Sequence, residues 1–79
     1  DLWWPELAKS LAAIPAAEDG VRSATENRRV VGERFTAGVA TNTELLDAQL
    51  VLLQAELDRT RAIASARLAS ARLDRALGR

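Results

Sequence analysis

The sequence predicts an all-α protein, an antiparallel two-helix coiled-coil hairpin, and three observations predict it. Ala, Leu, Arg and Glu, which lose little on entering a helix, dominate the 79 residues. Apolar residues recur at 3-4 spacing over two long stretches, and nothing alternates with period two. A single stop-and-start signal, Gly38 to Thr41, divides the chain into two nearly equal lengths.

The first helix is expected from about Pro5 to Ala37. Its apolar seam runs through Trp3, Leu7, Ile14, Ala17, Val21, Ala24, Val31 and Phe35, with Ser10 and Arg28 as polar interruptions. Pro15 removes one backbone hydrogen bond and costs about 3 kcal/mol in a helix interior. The seam keeps its register across Pro15, so one kinked, continuous helix is expected rather than a short helix ending at Ile14. Gly38 suits the left-handed position that ends a helix. Thr41-Asn42-Thr43-Glu44 then fits a capping box, in which the Thr41 hydroxyl accepts from the Glu44 amide and the Glu44 carboxylate reaches back.

The second helix is expected from about Asn42 to Leu77, with Gly78 as its stop. At ~1.5 Å per residue the two helices are about 50 and 54 Å long, so a connection over residues 38–41 folds them antiparallel. Facing residue numbers should total about 80. That sets Glu18 and Asp19 near Arg61, and Arg22 near Asp58, pairs of opposite sign worth ~0.5 kcal/mol each if exposed.

Composition narrows the function. Without cysteine there is no disulfide framework or thiolate metal site, and without histidine the usual general base and commonest metal ligand are missing. No cofactor is expected. An enzyme would need a carboxylate pair in a pocket, which two helices do not enclose, so an enzyme is not expected. Eleven basic residues balance eleven acidic ones, which gives no overall attraction to nucleic acid. Arg59 to Arg79 carries six arginines against Asp74, but no aromatic side chains are interleaved for base stacking. Cations there complement a helix C-terminus, while Asn42 to Asp58 is acidic, so the second helix is polarised end to end. Leu50-Val51-Leu52-Leu53 is too short to span a bilayer, and Asp1 to Pro5 has no basic stretch of a signal peptide. Trp3 and Trp4 suit a membrane interface or, with one ring outside, the end of a buried seam.

The second helix carries two apolar stripes. Ala48, Ala55, Ala62, Ala69 and Ala76 recur at seven, with Leu45, Leu52, Ala66 and Leu73 beside them. Leu46, Leu50, Leu53, Leu57, Ala64 and Ala71 form the other. Either the two together make one wide core-facing stripe, or the helix is packed on both sides, as in a closed ring of helices. On both readings a lone hairpin is marginal, because one seam must offset an ordering cost of about 1.5 kcal/mol per residue.

Around the turn, Glu26-Asn27-Arg28-Arg29-Val30-Val31-Gly32-Glu33-Arg34-Phe35-Thr36-Ala37-Gly38-Val39-Ala40-Thr41-Asn42-Thr43-Glu44-Leu45-Leu46-Asp47-Ala48-Gln49 resembles the periplasmic hairpin tip of the TolC-like outer-membrane efflux proteins. The shared pattern is an aromatic, two residues, Gly, a short polar stretch, then an acid, two aliphatics and Asp-Ala. The likeness extends from about Val21 through Arg79, including Arg75-Ala76-Leu77-Gly78, and corresponds to the C-terminal hairpin of a family member several times longer. Residues 1–20 match less well.

The resemblance implies a homotrimeric, hollow helical barrel in the periplasm of a Gram-negative bacterium, continuous with an outer-membrane β-barrel. It implies a passive export duct gated at its periplasmic entrance and partnered by a periplasmic adaptor and an inner-membrane pump. Glu44 and Asp47 fall where the family places acids ringing that entrance. As first-turn residues they also complement the helix dipole, and Glu44 serves the cap. Phe35 takes the aromatic position and packs the seam end, without the hydroxyl of members that carry tyrosine. Ala40 stands where some members carry a gate-locking arginine, so Arg34 beside Asp47 or Glu44 is the expected replacement. Gly38, Val39 and Ala40 fall at the tip that the family presents to the adaptor. Beside this reading stands a free-standing coiled-coil hairpin that self-associates into a four-helix bundle as an adaptor or scaffold.

Overall fold

The chain is two helices, α1 (Trp3–Thr36) and α2 (Asn42–Ala76), folded side by side and joined by residues 37–41. This computed structural model describes residues 3–78, with the side chains of Trp3, Trp4 and Glu6 left outside the description. The positions expected of Trp3 in the seam and of Trp3 and Trp4 at an interface therefore lie outside the described residues. The molecule is a rod of 60 × 15 × 14 Å with a radius of gyration of 17.8 Å. A globular chain of this length would have a radius near 12 Å. Its accessible surface, 5766 Å², likewise exceeds the roughly 4,700 Å² of a compact 8.6 kDa monomer. The hairpin thus leaves more of itself in water than a globular fold does.

Burial follows a strict heptad. In α1, positions a from Leu7 are Leu7, Ile14, Val21 and Arg28, and positions d are Ser10, Ala17, Ala24 and Val31, all buried or half-buried; Phe35, the last a, is exposed at the end of the seam. In α2, positions a are Leu45, Leu52, Arg59, Ala66 and Leu73, and positions d are Ala48, Ala55, Ala62 and Ala69, again all buried or half-buried, with Ala76, the last d, exposed. Off these positions, every described side chain is exposed except at Gly32, Ala40 and Ile63. This is the narrow seam of a coiled coil, and it coincides with the first helix's expected stripe and the alanine-rich stripe of the second. The core is thin: its buried residues are Leu7, Ala24, Ala48, Ala66 and Ala69, so four of the five are alanines. Small residues let the two backbones approach, at the expense of apolar area removed from water.

α1 is continuous through Pro15, which lies at an exposed position b. The backbone bond it omits, to the Leu11 carbonyl, is on the solvent side, where the lost partner matters least. α1 ends in a Schellman motif: Val39 N–H donates to the Arg34 carbonyl at 2.9 Å and Gly38 N–H to the Phe35 carbonyl at 3.0 Å. Gly38 supplies the left-handed residue, with φ of 82°. Thr41, extended at φ −88° and ψ 163°, caps α2, its Oγ1 accepting from the Glu44 amide at 3.1 Å. Among the described residues the reciprocal bond to the Glu44 carboxylate is absent, so half of the expected capping box forms.

The expected cross-helix ion pairs do not form. Arg22 pairs with Asp19 and Arg61 with Asp58 at 3.7 Å, each three residues away on its own helix. The reason is position. Asp19 and Arg22 occupy f and b, on the back of α1, and cannot reach across a seam made by a and d. Gly20 and Asn27 line one interhelical groove with Asp58 and Val51, so facing numbers total 78, close to the expected 80.

Candidate functional site

The outer faces of the two helices are chemically opposite. On α1, positions b and f carry Ala8, Ala12 and Pro15 and then, from Asp19 to Glu33, an ion ladder in two parts, Asp19 with Arg22 and Arg29 with Glu26 and Glu33. Arg29 is the centre of the second part: Nη2 donates to Glu26 Oε1 at 2.5 Å, Nε to Glu26 Oε2 at 3.0 Å, and Nη1 to Glu33 Oε1 at 2.6 Å. The bidentate hydrogen bond from Arg29 holds the Glu26 carboxyl below its ordinary pKa, and the same acids make Arg29 hold its proton more firmly than usual.

On α2, positions b and f carry Leu46, Leu50, Leu53 and Leu57, which are between 46% and 62% exposed. Beyond Leu57 the same positions carry Ala64 and Ala71, also exposed, alternating with Thr60, Arg67 and Asp74, so the face is continuously apolar only from Leu46 to Leu57. This is the second stripe of the sequence, and it is not part of one wide core-facing band. Positions b and f lie roughly 150° around the helix axis from the a/d seam. α2 is therefore apolar on two nearly opposite faces, only one of which is covered by α1.

Glu44 and Asp47 occupy positions g and c, on the flank between the seam and the leucine face, and both are exposed. The same side of the hairpin carries Ala13, Ala16, Gly20, Ser23, Asn27 and Arg34 of α1, also at g and c, so around the middle of α1 it is a wall of small and polar residues, with Val30 and Val51 exposed in it. Gly20, Ser23, Asn27, Val51, Gln54 and Asp58 meet there in one open groove. Arg34 lies at the tip end of this wall, but it makes no ion pair with Glu44 or Asp47 among the described residues.

Phe35 closes the seam from the α1 side. It lines an open groove with Leu45, Thr36 and Gly32, on the side opposite the g/c wall, and remains 39% exposed. Arg28 reaches over Gly32 in this groove; a Cβ on Gly32 would stand 2.7 Å from its Nη1. Gly32 thus leaves room for a guanidinium that must leave the seam to stay hydrated. Arg59 is a second arginine in the seam, and its signal in the sequence is its a position, four after Ala55 and three before Ala62, where the alanine repeat masks it.

At the tip, Gly38 and Val39 are exposed and Ala40 half-buried. Val39 is 64% exposed, so the hydrophobic contact that often accompanies a Schellman motif is not made. Among the described residues no helix is long and apolar enough to cross a membrane, and no acidic cluster is placed to hold a metal ion. No protein-family model, curated protein or solved structure matches this chain.

Proposed function

We propose that this hairpin is the periplasmic tip of a TolC-like outer-membrane efflux or secretion channel, a passive duct gated at its inner entrance. The observation that carries the reading is the division of α2 into two apolar faces, with Glu44 and Asp47 on the flank between them. A helix in the wall of a hollow barrel needs one contact face toward each neighbour, and the flank between those faces borders the lumen. Repeated by threefold symmetry, Glu44 and Asp47 form two rings of carboxylates at the entrance, a constriction that favours cations. Gly38, Val39 and Ala40 then present a small apolar tip to a periplasmic adaptor, with an inner-membrane pump behind it. The turn residues from Phe35 to Asp47 support the same assignment through their resemblance to that family.

The test is electrical. The full polypeptide that carries this hairpin should fractionate with the outer membrane and conduct in planar bilayers. Changing Glu44 and Asp47 together to Asn should reduce its cation selectivity. Unchanged selectivity in a conducting channel would remove both acids from the pore, and recovery of the polypeptide outside the outer membrane would remove the duct.

A second reading, a self-associating hairpin that forms a four-helix bundle, is favoured by one observation. From Asp19 to Glu33 the back of α1 is occupied by ion pairs, so along that stretch the hairpin offers one additional apolar face, that of α2, and a bundle of two hairpins needs only one.

A further inference from the structure

We infer that the leucine face of α2 docks against the same face of a second copy of this chain, with the two α2 helices antiparallel; the inference rests on the second reading and gives it a geometry. Leu46, Leu50, Leu53 and Leu57 repeat at 4-3-4, the spacing of the intrachain seam, so they form the edge of a second coiled-coil interface. They are the long uncovered edge of this helix, and the charged back of α1 has its partners already.

Charge selects the occupant and its direction. From Asn42 to Asp58 the charged residues of α2 are all acidic: Glu44, Asp47, Glu56 and Asp58. From Arg59 to Ala76 they are Arg59, Arg61, Arg67, Arg72 and Arg75 against Asp74. A parallel pair sets like charge beside like along its whole length. An antiparallel pair sets the acidic half of each helix beside the basic half of the other. Leu53 then meets Leu57 of the second copy at the centre, and on either side Leu50 meets Thr60 and Leu46 meets Ala64, large against small. The same register carries Asp47 to Arg61 of the second copy, twice by symmetry. Glu56 meets its own copy on the exposed rim, where salt screens the repulsion.

Single-cysteine variants of the 79-residue chain test this, because the natural sequence has no cysteine. Sedimentation should show a dimer. Mixed Asp47→Cys and Arg61→Cys chains should form a disulfide with each other under mild oxidation, in preference to Asp47→Cys with itself. Leu53→Glu should raise the dissociation constant about a hundredfold or more while the circular-dichroism helix signal at high concentration stays. A dimer in which Asp47→Cys links to itself is parallel, which overturns this inference and leaves the self-association reading intact. A monomer at high micromolar concentration, or a trimer, overturns both.

Discussion

Gly20 offers the sharpest test of the hairpin's energetics. It lies in the middle of α1 with an ordinary helical φ, and a Cβ built on it meets nothing within 4 Å. Nothing within the chain therefore requires glycine there, and glycine in an exposed helix interior costs about 1 kcal/mol relative to alanine. Gly20→Ala should stabilise the hairpin by that amount, which for a chain of this size raises the melting temperature by about 5 °C. Thermal melts followed at 222 nm, at two protein concentrations tenfold apart, would read it and separate folding from association. If the melting temperature falls or stays put at both concentrations, the space beside Gly20 is not open in solution, and the assignment of the g/c wall as a water-facing flank fails. A gain at low concentration that disappears at high concentration would place a close backbone neighbour against Gly20 in the assembly.

Two further outcomes are expected of the hairpin itself. Thr41→Ala removes the hydroxyl that accepts from Glu44 and, with no return bond to compensate, should cost about 1 kcal/mol by urea titration, with unchanged m-value. Glu26 binds its proton less readily in the fold than its ordinary value of 4.5, so its contribution is present above that value and lost as pH falls through the lowered one. The melting-temperature difference between the natural chain and Glu26→Gln should accordingly be present at pH 7 and close as pH falls through the lowered value; a gap that persists once the carboxyl is fully protonated would mean that Arg29 does not hold the ionised carboxylate.

The fold was readable because three local signals agree with the global arrangement. Gly38 requires a left-handed residue, Thr41 requires a cap, and the 3-4 spacing on either side requires a seam. Helix ends at Thr36 and Ala76 fall within one residue of those expected at Ala37 and Leu77, because the glycines following them fix where each helix stops. What sequence did not give was lateral position. Opposite charges at matching levels looked like cross-helix pairs, yet Asp19 with Arg22 and Asp58 with Arg61 close locally, since neighbours three apart on one helix meet without ordering a second element. Arg34 illustrates the same limit. It occupies position g at the level of Glu44, also at g and in the same register as Gly20 with Asp58, yet both side chains stay in water and no ion pair forms between them among the described residues, because an exposed pair gains little over hydration.

The alanine seam also bears on the second contact proposed for α2. An alanine contributes little apolar area, so Ala24, Ala48, Ala66 and Ala69 bring the helices close without giving them much to bury. The larger side chains of α2 point elsewhere: Leu46, Leu50, Leu53 and Leu57 carry more apolar surface than the four buried alanines and leave about half of it in water. Had selection acted on the hairpin alone, those leucines would serve better at positions 48, 55, 62 and 69, with alanines or charges on the back. The reverse placement makes sense when the seam sets geometry and the leucine face sets assembly. In both the duct and the bundle, stability then depends on contacts between hairpins, so folding of α2 and recruitment of its neighbour become one coupled event.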